Sequence, residues 1–178
     1  MRKLSRDMKK LLKDYYVDLN FNYSRQMLMN ESAMVHYAPF RTGKTTGSWF
    51  DHAPTWLQGK VNDTRLYREV NRLKKIIEKH TGSQDVRPRF YRQEKNTMVP
   101  MHADHNTLCC VNIVLSTHAA PIIFEDVGEV QYKCALLNIT ERHMVPKFVA
   151  ERVLLKFSIF DVSYEKARER LKDYVPAH

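Results

Sequence analysis

No run of about 18 or more apolar residues occurs in the 178-residue chain, which excludes a membrane-spanning helix of the usual length. The start, Met-Arg-Lys-Leu-Ser-Arg-Asp-Met-Lys-Lys, lacks the apolar segment of a signal peptide. A soluble, cytoplasmic protein with no membrane partner is expected. Cysteine is scarce: Cys109 and Cys110 are adjacent, which disfavours a bridge between them, and Cys134 is left over. Free thiols in a reducing compartment follow. Internal repeats and low-complexity stretches are missing, as are helix-turn-helix, zinc-finger and aromatic ribonucleoprotein motifs. So are His-Glu-x-x-His and a persuasive catalytic carboxylate pair or Ser/His/Asp set. Thr42-Gly43-Lys44-Thr45 has the look of a phosphate loop, but the glycine required five residues before Gly43 is Ala38, and no strand precedes it.

The chain does have 43% hydrophobic residues, enough at this length for one substantial core, so residues 1–178 read as a single domain. A net charge of +9 would draw in anions, whether nucleic acid, an acidic protein or a small carboxylate. Much of the excess falls on segments 3–13 and 65–79, where it can simply be the solvated face of two helices. Leu4, Met8, Leu11, Leu12 and Tyr15 predict an amphipathic helix over 4–16. Residues 17–61 are irregular, with scattered aromatics. Asp63 or Thr64 then caps a helix whose buried stripe is Leu66, Val70, Leu73, Ile76 and Ile77, ending near Gly82.

After Gly82 the period becomes alternating, and strands are expected at 87–93, 97–103, 109–116, 121–125, 129–133, 134–139, 143–148 and 152–161. Residues 164–174 are again helical. The expected organisation is a mainly helical and irregular part (1–82), a β-core (83–162) and a C-terminal helix (163–178). That is an α+β protein whose sheet is a small barrel or sandwich.

In an extended segment His102 and Asp104 of His102-Ala103-Asp104 point the same way. With His143 downstream they give two imidazoles and one carboxylate, the facial triad of non-haem Fe(II) sites; zinc is the main competitor. The last strand divides by parity: Val153, Leu155, Phe157 and Ile159 form an apolar face, while Arg152, Leu154, Lys156, Ser158 and Phe160 form the other. If the sheet closes on a cavity, that second face offers two cations and a hydroxyl to a small dicarboxylate; otherwise it is a solvated face. His105 has the opposite parity to the metal pair and reads as a loop residue. His118 and Arg142 are not taken as ligands. The three cysteines read as core, and Tyr91 is equally a core aromatic.

His102-Ala-Asp104, His143 and Arg152 in this order, on a strand-rich half running from Arg87 to Asp161, resemble the Fe(II)- and 2-oxoglutarate-dependent dioxygenases. Arg89-Phe90-Tyr91-Arg92 looks like the strand that supplies a tyrosine to the co-substrate, and Asn138-Ile-Thr-Glu-Arg-His143-Met-Val-Pro like the segment of the second metal histidine. Arg152-Val-Leu-Leu is similar to the aspartyl/asparaginyl hydroxylase branch, and there is some similarity to the prolyl hydroxylases. The resemblance implies a double-stranded β-helix (jelly-roll, cupin-like) core with N-terminal helices packed against it. It implies His102, Asp104 and His143 as catalytic iron ligands, with Fe(II), 2-oxoglutarate and O2 as cofactor and co-substrates. Arg152 would bind the distal carboxylate of 2-oxoglutarate, with Tyr91 and Asn112 in the same pocket. Many members carry Arg-x-Ser where this chain has Lys156-x-Ser158, so Lys156 stands beside Arg152 as a carboxylate partner. The implied activity is hydroxylation of an unactivated C–H bond, with a protein, peptide or amino-acid side chain as substrate. The competing readings are a dioxygenase acting on nucleic acid and a non-oxidative, cupin-like metal- or anion-binding protein.

Overall fold

A computed structural model describes residues 11–39, 56–61 and 66–176. In chain order they form β1 (Tyr16–Asp18), α1 (Arg25–Met34), β2 (Tyr37–Pro39), β3 (Trp56–Lys60), α2 (Arg68–Thr81), β4 (Val86–Gln93), β5 (Val99–His102) and β6 (Cys109–Val114). Then come β7 (Ile122–Phe124), β8 (Gly128–Val130), β9 (Cys134–Leu137), β10 (His143–Val145), β11 (Arg152–Ile159) and α3 (Tyr164–Arg170), with a 3-10 turn at Lys172–Tyr174. The strands make a seven-stranded sheet, ordered β1-β9-β6-β11-β4-β3-β2, and a four-stranded sheet, β5-β10-β7-β8.

Parity along the central strands builds two layers. Val153, Leu155, Phe157 and Ile159 of β11 join Val111 and Ile113 of β6, Phe90 of β4, and Val70, Leu73 and Ile77 of α2 in the main core. Leu155 and Phe157 are fully buried, each worth about 1.5–3 kcal/mol relative to exposure. Cys110 of β6 and Ala135 and Leu137 of β9 face the other way, onto Ile122, Phe124 and Val130 of the small sheet. The helices therefore cover the outer face of the large sheet, which leaves its inner face to the small sheet and the space between them.

Eight strands fall where alternation predicts them, and α2 ends at Gly82, whose φ of 68° is the left-handed conformation that glycine tolerates at a helix end. Other expectations need correction. The predicted helix over 4–16 lies mostly outside the described residues, and within them Tyr16 already starts β1, held against Leu137 of β9. The segment 17–61 is not merely irregular: it holds α1 and supplies β1, β2 and β3, so the large sheet extends beyond 83–162. Helix α1 escapes hydrophobic spacing because its buried face pairs Leu28 with Glu31 and Ser32. The candidate caps Asp63 and Thr64, and Thr42 to Thr45, lie outside the described residues. Leu66 precedes α2 and is 64% exposed rather than part of its stripe.

Candidate metal centre

Strands β5 and β10 are antiparallel neighbours in which His143 sits directly opposite His102. Side chains opposed across a ladder share a face, so the two rings meet, with centroids 4.4 Å apart. The chain leaves β5 at His102, and the main-chain N–H of Asp104 donates to the Ile139 carbonyl at 2.9 Å, which holds the turn that returns Asp104 to the same side. One ligand atom from each of His102, Asp104 and His143 lies within 4.8 Å of the others.

The hydrogen bonds orient these groups for coordination. Nδ1 of His102 donates to the Pro100 carbonyl and Nδ1 of His143 to the Glu141 carbonyl, each at 2.8 Å. A carbonyl only accepts, so in each neutral ring the proton is on Nδ1 and the lone pair on Nε2. Asp104 divides its oxygens: Oδ1 lies 3.6 Å from His102 Nε2, while Oδ2 accepts from Lys156 Nζ at 2.9 Å. Burial, reinforced by the neighbouring His102, pushes His143 down to about 4. Burial likewise lowers His102. Burial alone would raise Asp104, but the ammonium of Lys156 brings it below the usual carboxylate value. Burial opposes the charge of Lys156 in turn, yet Asp104 and its other neighbours raise it overall. At neutral pH the cluster is thus two neutral imidazoles and one carboxylate, a donor set suited to a divalent first-row metal.

The cluster opens into a cavity of about 430 Å3 between the sheets. All eight residues singled out from the sequence line it: His102, Asp104, His143, Arg152, Tyr91, Lys156, Ser158 and Asn112. Arg152 is only 3% exposed. Its Nη2 donates to the hydroxyl of Tyr132 at 2.8 Å, and the Asn112 amide donates to the same hydroxyl at 3.1 Å. The Nε of Arg152 has no hydrogen-bond partner among the described residues. A buried guanidinium N–H without an acceptor is costly, and a carboxylate entering the cavity would relieve it with a charge-assisted hydrogen bond. Tyr91 stacks on Trp56, ring centroids 5.3 Å apart.

Tyr132, Trp56, Arg87 and Arg89 also line or support the cavity but were not legible as site residues. Tyr132 follows β8, where nothing in the local pattern tells a hydroxyl turned inward from one turned to solvent. Arg87 and Arg89 share the parity of Tyr91 on β4, a signal that pointed to them only once this face was known to be the inner one. His105 is exposed at the edge of the cavity. Arg142 pairs with Glu125 at 2.8 Å on the surface. The three cysteines are buried and unbridged, and burial pushes the Cys110 and Cys134 thiols up to about 12.

No protein-family model and no curated protein matches the chain. Solved structures do. A prolyl hydroxylase from Trichoplax adhaerens, in complex with a hypoxia inducible factor oxygen degradation domain peptide fragment, is similar with a TM-score of 0.65 and 11% identity, over 94% of this chain and 96% of that one. An oxidoreductase of the 2OG-Fe(II) oxygenase family from Burkholderia pseudomallei gives 0.61 and 13%, over 92% and 96%. HygX from Streptomyces hygroscopicus, solved with nickel, 2-oxoglutarate and hygromycin B bound, gives 0.57 and 10%, over 88% and 87%. At these identities the likeness is one of fold: an α+β double-stranded β-helix, with helices on the outer face of its larger sheet.

Proposed function

We propose that the chain is a non-haem Fe(II)- and 2-oxoglutarate-dependent dioxygenase that hydroxylates an unactivated C–H bond of a protein, peptide or amino-acid side chain. The observation that carries this is the pairing, in one cavity, of the His102, Asp104 and His143 cluster with a buried arginine whose Nε lacks an acceptor. An isolated metal site needs no such cation; a metal site that also receives a dicarboxylate does. Two similar structures of HygX are described with nickel and 2-oxoglutarate bound, which supports the same pairing of ligands here.

His102, Asp104 and His143 would hold the metal on one side and leave its remaining positions to the cavity. Fe(II) held there with 2-oxoglutarate would supply oxygen activation, with O2 and 2-oxoglutarate consumed, succinate and CO2 released, and one oxygen atom inserted into the substrate C–H bond. The protein's own residues bind and orient. Arg152, steadied by Tyr132 and through it by Asn112, would receive the distal carboxylate in a charge-assisted hydrogen bond. Lys156 is the poorer partner for that carboxylate because its ammonium already serves Asp104. Ser158 and Tyr91 complete the wall on which the co-substrate would lie.

The test is succinate formation from 2-oxoglutarate by the purified protein supplied with Fe(II) and O2. Turnover that requires both, and a Michaelis constant for 2-oxoglutarate raised about 10- to 100-fold in Arg152→Gln, is expected from the loss of one charged hydrogen bond. A protein that binds zinc but forms no succinate with iron would be the non-oxidative metal-binding protein instead. No helix among the described residues is long and apolar enough to cross a membrane.

A further inference from the structure

Three cations lie side by side on the inner face of the large sheet. Lys156 of β11 is directly opposite Arg89 of β4, and Arg89 is directly opposite Lys60 of β3. Residues opposed across an antiparallel pair share a face, and like charges placed this way repel. The row begins at the metal cluster, since Lys156 Nζ stands 2.9 Å from Asp104 Oδ2.

Two of the cations in the cavity wall around Arg89 have their charge met within the protein. Lys156 is matched by Asp104. Arg87, next along the same face of β4, is matched by Asp85 at 2.7 Å and lies over the ring of Phe160 at 4.3 Å. Arg89 has no ion pair among the described residues. Its neighbour is the neutral side chain of Gln58, whose amide, assigned with its oxygen towards the guanidinium, accepts from Nε at 3.1 Å and from Nη1 at 2.8 Å. Arg152 has its own counter-charge under the reading above, the distal carboxylate of the co-substrate. Arg89 is then the cation of the cavity wall that neither protein nor co-substrate neutralises, one ladder position from the lysine that touches the metal cluster.

We infer that Arg89 seats a carboxylate of the substrate, which makes the substrate acidic: an aspartate- or glutamate-like side chain of a protein or peptide. A guanidinium matches a carboxylate geometrically as well as in charge. Size favours a side chain over a nucleotide. The cavity, about 430 Å3, is at the small end of ligand sites and is shared with the co-substrate. The stacked Trp56 and Tyr91 give this region an apolar wall against which the methylene part of such a side chain can lie. The inference rests on the dioxygenase reading and deepens it.

The experiment uses the protein loaded with Fe(II) and 2-oxoglutarate under nitrogen, so that no turnover occurs. Calorimetry compares two peptide pools identical except that the central residue is Asp or Glu in one and Asn or Gln in the other. Wild type is expected to bind the acidic pool at least about tenfold more tightly, the scale of one charged hydrogen bond. In Arg89→Gln that preference should collapse, and in Arg89→Lys part of it should return; unchanged thermal unfolding of both variants shows the fold intact. Equal binding of the pools, binding of neither, or a preference that survives Arg89→Gln overturns the inference. So does tighter binding of nucleoside monophosphates than of the acidic pool, which assigns Arg89 to phosphate. Failure of the loaded protein to form succinate once O2 is admitted is a different result: it removes the dioxygenase reading itself.

Discussion

At the scale of single residues, the site is governed by what each charged group already touches. Lys156 and Arg152 are alternatives in the sequence, because they share a parity on β11, and parity cannot rank them. Their partners differ: Lys156 is paired with Asp104, whereas Arg152 is held by Tyr132 and its Nε has no acceptor among the described residues, which is the ground for proposing Arg152 as the carboxylate partner. By occupying Oδ2, Lys156 leaves Oδ1 as the oxygen of Asp104 nearest His102. Lys156→Met is therefore expected to weaken Fe(II) binding about 10- to 100-fold, as loss of an outer partner of a metal ligand commonly does; a metal titration measures it. Unchanged metal affinity with a raised 2-oxoglutarate Michaelis constant would instead return Lys156 to the co-substrate. His143 makes a pH prediction for the metal-free protein. Its folded value of about 4 is below the ordinary imidazole value, so the unfolded chain takes up a proton first on acidification. The stability it contributes is complete above about pH 6.5 and is lost as pH falls towards 4, by about 2–3 kcal/mol. Denaturant unfolding at pH 7.5 and pH 4.5 should show this slope, and His143→Asn should flatten it.

At the scale of elements, α1 and α2 hold each other by their ends. The N-cap residue of α2, Tyr67, makes no side-chain capping bond. Instead the buried carboxylate of Glu31 in α1 accepts from the main-chain N–H groups of Glu69 and Val70 at 2.8 and 3.0 Å. In return Glu69 accepts from the N–H of Ser24, the N-cap of α1, at 2.8 Å. An anion at a helix N-terminus satisfies otherwise orphaned donors and the helix dipole together. Glu31→Ala should lower unfolding free energy by about 1–3 kcal/mol, from the donors it strands, with calorimetric or denaturant unfolding as the measure. This is also where sequence reading reaches its limit. Helix α2 and the strands after Gly82 were legible because one apolar face repeats at a local period. The cap of α2 comes from a residue 38 positions earlier, and α1 is buried partly through Glu31, so no local period marks either.

At the scale of the molecule, two sheets of different size flank the cavity, which gathers residues from β3, β4, β5, β6, β7, β10 and β11. The alternation of β11 separated its two faces, and the His-x-Asp placed two of the three groups on one side, because both depend on short-range geometry; His143 joins them through the pairing of β10 with β5. The contribution of β1, β2 and β3 to the large sheet, and of Tyr132 to Arg152, depends on pairings between distant segments and could not be read locally. The central claim, that this cavity holds Fe(II) and 2-oxoglutarate together, is tested most directly by anaerobic absorbance. Adding 2-oxoglutarate to the Fe(II)-loaded wild type should raise a weak visible charge-transfer band, which should be lost in His143→Ala. A wild-type protein that binds iron but develops no band at saturating 2-oxoglutarate would contradict it.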